Sequence, residues 1–253
     1  MYNMFSIFKK RKKITVDCFT YHTAIEKEFT ISKAVNFYPE WFKKLKTTYM
    51  EPANEKNKVE YLRSTMKMCE GFRDYYSQGF IIPLWSDLII NVKKNIGYDF
   101  LFSAQNDVLC HIEHHNHNEY GNMFNKYIHG KIITPWLIKE KSGVKFLWTE
   151  PKWNMIKYWN NINIVPGVCS YNLQSTAHIN MFFTNETKRI ELSAGQPMAH
   201  IVPISENEIE LKTHLLEKKD YDKIQDLSSY TSKFVGKYKY RQKMNRKNES
   251  EMK

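Results

Sequence analysis

The chain reads as a mainly β protein, a jelly-roll-like or other two-sheet β-sandwich with two short N-terminal helices and one C-terminal helix. Three observations lead there. Short apolar runs rich in aromatic and β-branched residues recur between turn signals, enough for some eight to ten strands. The middle of the chain, KIITPWLIKEKSGVKFLWTEP (131–151), holds two such runs around a polar turn at Lys139–Gly143. Aromatic residues make up 15% of the sequence, which supports a packed body rather than disorder.

The elements follow in order. ITVDCFTY (14–21) is rich in β-formers and reads as a first strand, and 29–37 is similar. Pro39 opens a short helix: Glu40 stands near its positive end, and Lys43, Lys44 and Lys46 near its negative end. The Trp41/Leu45 pair, four apart, is expected to face the core. The polar stretch 51–60 lacks periodicity and reads as a loop. Ser64 and Gly79 bracket a helix over 64–78, with Met68, Phe72, Tyr75 and Tyr76 on its apolar face. FIIPLWSDLIINV (80–92) is a long β-run in which Pro83 demands an edge, a bulge or a bend. Residues 98–103 return from it as a hairpin, and VLCHIEHHNH (108–117) begins as a strand.

The central 131–151 stretch reads as a β-hairpin. Further strands are expected at 162–170, 177–184 and 189–191. A final core strand follows the turn at Gly195–Pro197, and 208–212 reads as an edge strand. From about Asp220 the pattern turns helical, with Ile224, Leu227 and Tyr230 at three-residue spacing.

Charge divides the chain into three. Residues 1–13 carry five basic side chains and no acid. Residues 231–253 carry eight against Glu249 and Glu251. The formal net charge is +11, so the single β-rich domain at 14–230 is neutral between two basic tails, the second expected to be disordered. Any polyanion attraction is therefore expected through the tails, toward nucleic acid, anionic lipid or an acidic partner protein. No run of 18 apolar residues is present, so no membrane span is expected. The first residues do not resemble a signal peptide, because their charge follows the apolar stretch. Cys18, Cys69, Cys110 and Cys169 are widely spaced, with no CxxC, as befits reduced thiols in a cytoplasmic setting.

Several blocks resemble a functionally uncharacterised family encoded by tailed phages, notably those of marine cyanobacteria, and by some bacteria. They are TMKMCEGFRDYYSQ with GFIIPLWSDLII (65–90), ITPWLIKEKSGVKFLWTEP (133–151), NIVPGVCSYN (163–172), HINMFF (178–183) and AGQPMAHIVPIS (194–205). Their order matches the family over roughly residues 33–205. The chain departs from it at Cys169-Ser170-Tyr171, where acidic residues are usual, and at His200, where Gln is usual. The resemblance implies a phage protein, in the host cytoplasm or associated with the virion. It implies no activity.

The densest chemistry lies at HIEHHNH (111–117). On a strand, His111, Glu113 and His115 share one face, with His117 next along it. With His178 or His200 as third ligand, His111 and Glu113 fit a two-His-one-carboxylate iron site. The full cupin spacing is not met, since Glu119 follows His115 and His117 too closely. The same pattern also suits a hydrophilic loop. Asp87, Asp17 and Glu150 are expected to be exposed on outer sheet faces. Lys43–Lys46 and the tail at 233–247, where Tyr238 and Tyr240 interleave with cations, form a candidate polyanion contact. Two readings result. The favoured one is a non-enzymatic accessory or structural/interaction protein whose basic tails touch a partner. The other is a jelly-roll non-haem iron enzyme at His111, Glu113 and His178 or His200.

Overall fold

A computed structural model describes residues 13–53, 55, 56, 58–92, 100–104, 111–114, 127–154, 162–172, 175–184 and 189–229. The strands are β1 (Lys13–Thr20), β2 (Ser32–Lys33), β3 (Thr48–Glu51), β4 (Tyr61–Ser64), β5 (Phe80–Pro83), β6 (Leu88–Val92), β7 (Phe100–Ala104) and β8 (His111–His114). They continue as β9 (Tyr127–Glu140), β10 (Lys145–Thr149), β11 (Ile162–Ile164), β12 (Gly167–Ser170), β13 (Thr176–Thr184), β14 (Arg189–Leu192), β15 (Pro197–Pro203) and β16 (Glu208–Leu215). The helices are α1 (Thr23–Glu28), α2 (Glu40–Lys44), α3 (Glu70–Ser77) and α4 (Lys218–Ser229).

Two large sheets face each other. The first runs β11-β13-β9-β1-β16. The long β9 has β13 along one edge and, on the other, β8 followed by β1. The second sheet runs β12-β10-β15-β5-β2, and a three-stranded sheet β14-β6-β7 adjoins the core. Between them lie Ile112, Ile132, Trp136, Ile138, Ile179 and Met181 of the first sheet, and Phe80, Ile82, Phe146, Trp148 and Ile201 of the second. Each strand gives alternate residues to this layer, as the pleat requires. Within this layer the Trp148 Nε1–H donates to the Tyr171 hydroxyl at 2.6 Å.

The expected sandwich is present, with a parallel pairing of β1 and β16 that an all-antiparallel jelly roll lacks. That pair joins the first described strand to the last, and 208–215 is the edge strand expected of 208–212.

The central 131–151 stretch corrects the sequence reading. Both runs are strands, but they are not paired: β9 lies in the first sheet and β10 in the second. The connection is an arch that turns the chain across the core. Glu140, only 2% exposed, points inward at the end of β9. Its carboxylate accepts the amides of Ser142 and, at 2.9 Å, Gly143, which sits at φ +81°. A local acceptor for the turn's amides closes the arch without a ladder between its arms.

Proline marks two other crossings. After Pro83 the chain leaves the second sheet and continues into the three-stranded sheet as β6, which forms the expected hairpin with β7. Around Pro166 it passes from β11 in the first sheet to β12 in the second.

A second apolar cluster lies outside the second sheet: Ala34, Phe42, Phe72, Tyr76 and Ile81, flanked by Tyr38 and Trp41. It seats α2 and α3. Pro39 opens α2 as expected, but Phe42 is its buried residue, and Leu45 lies beyond the helix end. Where a helix over 64–78 was expected, the chain makes β4, a 3-10 turn at Met66–Met68 and then α3. Thr65 caps the turn by accepting the Lys67 amide at 3.2 Å, ahead of Ser64 in this role. Met68 is consequently exposed rather than on the buried face. Gly79, at φ +72°, ends α3 where the sequence placed the stop. The expected strand at 29–37 shrinks to β2 and a 3-10 turn, and α1 was not expected. No described helix is long and apolar enough to cross a membrane.

Candidate functional site

Register places the expected iron ligands. His111 and His178 both lie directly opposite Ile133, one on each side of β9. Glu113 lies opposite Lys131, in the row beside Asn180. The inward neighbours Ile112, Ile132 and Ile179 are buried, so His111, Glu113 and His178 share the outer face of the first sheet. The His-x-Glu pair thus faces one way, as the strand pattern required.

The Glu113 carboxylate is held by the Lys131 ammonium. That contact, with the His111 and His178 rings nearby, keeps the Glu113 carboxyl below its ordinary range. His111 Nε2 is 3.8 Å from Glu113 Oε1. Two strand spacings separate the backbones of His111 and His178, roughly 9–10 Å, with Ile133 between them. Among the described residues no three His, Cys, Asp or Glu side chains gather closely enough to hold a metal.

His200 belongs elsewhere. It lies opposite Ile81 and Thr149 in the second sheet and faces α3, so the whole sandwich core separates it from His111. Fully buried, it meets the Gln78 carbonyl through Nε2 at 2.8 Å and packs against Tyr75 and Tyr76. Burial pushes its pKa down, and the Gln78 carbonyl partly opposes this. It therefore pins α3 to the sheet. His115, His117, Glu119 and Cys110 lie outside the described residues, as do residues 1–12 and 230–253.

The isolated acids divide. Asp87 sits in the crossing between β5 and β6 and accepts the Ala194 amide at 2.8 Å. Asp17 meets His214 at 2.7 Å on the outer face of the first sheet. Glu150, expected to be exposed, is buried, and the Tyr75 hydroxyl donates to its carbonyl at 3.2 Å. Cys18 is buried, with its thiol pushed up by desolvation, while Cys69 and Cys169 are half-buried.

A different feature stands out from the sandwich. β3 and β4 pair only with each other among the described strands. An isolated two-stranded ribbon is marginal in water, so its base must be anchored. The Thr65 hydroxyl donates to the Lys46 carbonyl, the Thr65 amide to the Thr47 carbonyl at 2.9 Å, and Lys67 Nζ to the Phe42 carbonyl at 3.0 Å. One face carries Arg63 between Glu51 and Tyr61. The other presents the cross-strand pair Met50–Leu62, 54% and 65% exposed.

Between this ribbon, α2 and the 3-10 turn lies an open groove of about 790 Å³, lined by Trp41, Leu45, Tyr49, Ser64, Thr65, Met66, Met68 and Cys69. Its walls are mostly apolar, and Tyr49, Met66 and Met68 are exposed. It is not legible in the sequence, where 51–60 reads as a plain loop. The short β-former runs on either side, TYM and YL, were the available signal.

No family model matches the chain, and neither a curated protein nor a solved structure matches it significantly. The likeness to the phage family rests on the sequence blocks alone.

Proposed function

We propose that the chain is a non-enzymatic β-sandwich interaction protein, an accessory or structural component of a phage that docks a partner through the β3–β4 ribbon and its groove. The observation that carries this reading is exposed apolar side chains on both faces of one ribbon: Tyr49, Met66 and Met68 along the groove, and Met50 with Leu62 on the ribbon face opposite Tyr49. Exposed apolar surface rimmed by polar residues marks binding sites, and exposed methionines adapt to varied partners. The basic tails at 1–13 and 231–253 add long-range attraction to an acidic partner. The phage setting comes from the resemblance.

The test is a double variant, Met50→Ser with Leu62→Ser. Both side chains are exposed, so stability should hold within about 0.5 kcal/mol. Exposed apolar surface, read as binding of a polarity-sensitive dye, should fall, and so should complex formation on gel filtration with proteins from the same genome. A variant that keeps all such complexes at wild-type levels would reject the ribbon as the docking element.

A further inference from the structure

We propose that the occupant of the groove is an acidic segment of a partner protein that inserts apolar anchors; this rests on the docking reading above. The argument is the distribution of charge around an apolar floor. The segments that wall the groove, 41–50 and 61–69, carry Lys43, Lys44, Lys46, Arg63 and Lys67 and no carboxylate. Two of these cations are compensated: Lys43 pairs with Glu40 at 2.7 Å and Arg63 with Glu51. Lys67 lies 4.6 Å from the centre of the Phe42 ring and touches main-chain carbonyls, with no carboxylate bonded to it. Lys44 and Lys46 are exposed; Lys44 shares the field of Glu40 with Lys43, and Lys46 forms no ion pair among the described residues. Lys46 and Lys67 thus stand without a carboxylate partner among the described residues, beside an apolar trough in a body whose net charge is zero.

A partner that fills the trough must desolvate its own groups there, so apolar side chains suit the floor. Carboxylates at its flanks meet the rim cations and suppress basic competitors, since like charges brought together cost several kcal/mol. A single-stranded nucleic acid would also meet the cations. It stacks on aromatic platforms, however, and here aliphatic and sulfur-bearing side chains outnumber Trp41 and Tyr49 along the walls. A second copy of the chain would bring the same cations to the same rim.

The test uses the full chain and fluorescein-labelled short peptides with Leu and Phe at i, i+3 and i+4. In one peptide the remaining positions are Glu, in the other Lys. A labelled oligo-dT serves as a third probe, and anisotropy is read at low and high salt. The acidic peptide should bind about tenfold tighter than the basic one, a preference that shrinks as salt shortens the reach of the rim charges. Lys44→Glu with Lys46→Glu should erase or invert the preference, and Tyr49→Ser with Met66→Ser should remove binding of the acidic peptide. Equal binding of both peptides, lost in Tyr49→Ser with Met66→Ser, would overturn the acidic occupant and leave the docking reading intact. The same holds for tighter binding of the oligonucleotide through these residues. Self-association abolished by Leu62→Glu, with no peptide bound, would make a second copy the occupant and also overturn this inference. No binding and no association would remove the docking reading with it.

Discussion

Replacing Gly79 by Ala should be the most damaging substitution among the described glycines, for reasons that separate into two parts. Gly79 sits at φ +72°, between α3 and β5. An L-residue in this left-handed region costs about 1–2 kcal/mol. The larger part is steric. A Cβ built there lies 2.0 Å from the Ile201 carbonyl oxygen, 2.9 Å from its carbon and 3.0 Å from the Val202 Cα. These are backbone atoms of β15, which is paired on both sides by β5 and β10, so no side-chain rotation relieves the clash. Either α3 or the centre of the second sheet must move. The total should exceed about 4 kcal/mol, which for a domain of this size lowers the melting temperature by at least about 8 °C. Two controls isolate the parts. Gly195 has φ +82° with nothing within 4 Å of its Cβ position, so Gly195→Ala should cost only the conformational part, about 1–2 kcal/mol. Gly71 lies in α3 with open space around it, so Gly71→Ala should stabilise by up to about 1 kcal/mol. Urea unfolding followed by near-ultraviolet circular dichroism of the six tryptophans orders the three. If Gly79→Ala falls within about 1 kcal/mol of Gly195→Ala, the reasoning from close backbone approach is refuted.

Other substitutions test other joints. Glu140→Ala leaves the Ser142 and Gly143 amides without their acceptor and should cost about 1–3 kcal/mol, with Glu140→Gln in between; an unchanged urea midpoint would mean that the carboxylate does not hold the arch. His200 resists protonation in the folded state, so an unfolded chain takes up the proton first as pH falls. The stability it contributes is complete above the ordinary histidine value of about 6.5 and is lost as pH drops through that value toward the depressed folded one. Melting temperature should therefore decline below about pH 6.5 and decline less steeply in His200→Gln, although His22, also depressed by burial, keeps part of the slope. Equal slopes would place the effect elsewhere. Wild-type protein loaded anaerobically with iron should retain no stoichiometric metal, because Lys131 occupies Glu113; one equivalent lost in both His111→Ala and His178→Ala would establish the iron site instead.

How much was legible follows from what a strand pattern encodes. Alternation shows which residues share a face, so β1, the hairpin of β6 and β7, and the common face of His111 and Glu113 were readable. It does not show which sheet a strand joins. An arch and a hairpin both place apolar faces on the core, and 131–151 fits either. Register is equally silent. Nothing in the order of residues puts Lys131 opposite Glu113, or sends His200 to the far side of the sandwich from His178. The helix expected from Ser64 failed because strand pairing of 61–64 with 48–51 outweighed local helical pattern. The groove was hidden because its residues come from four short elements, none periodic enough to show a face.

The location of charge, rather than its total, connects these features. The net +11 would mean little if it were spread over the surface, as solvated lysines commonly are. Residues 14–230 sum to zero, so Lys46 and Lys67, which have no carboxylate partner among the described residues, are a local feature and not a sample of a basic surface. The sandwich spends its large apolar residues inward, and its exposed polar faces pair internally, Lys131 with Glu113 and His214 with Asp17. The β3–β4 ribbon and the segment before it do the reverse: the ribbon exposes Met50 and Leu62, and Lys46 stands without an acid among the described residues. The proposed partner, with apolar anchors and surrounding carboxylates, would answer the exposed apolar side chains and the unpaired lysines alike, and its pull on those charges would fall off over roughly 8–10 Å at physiological salt.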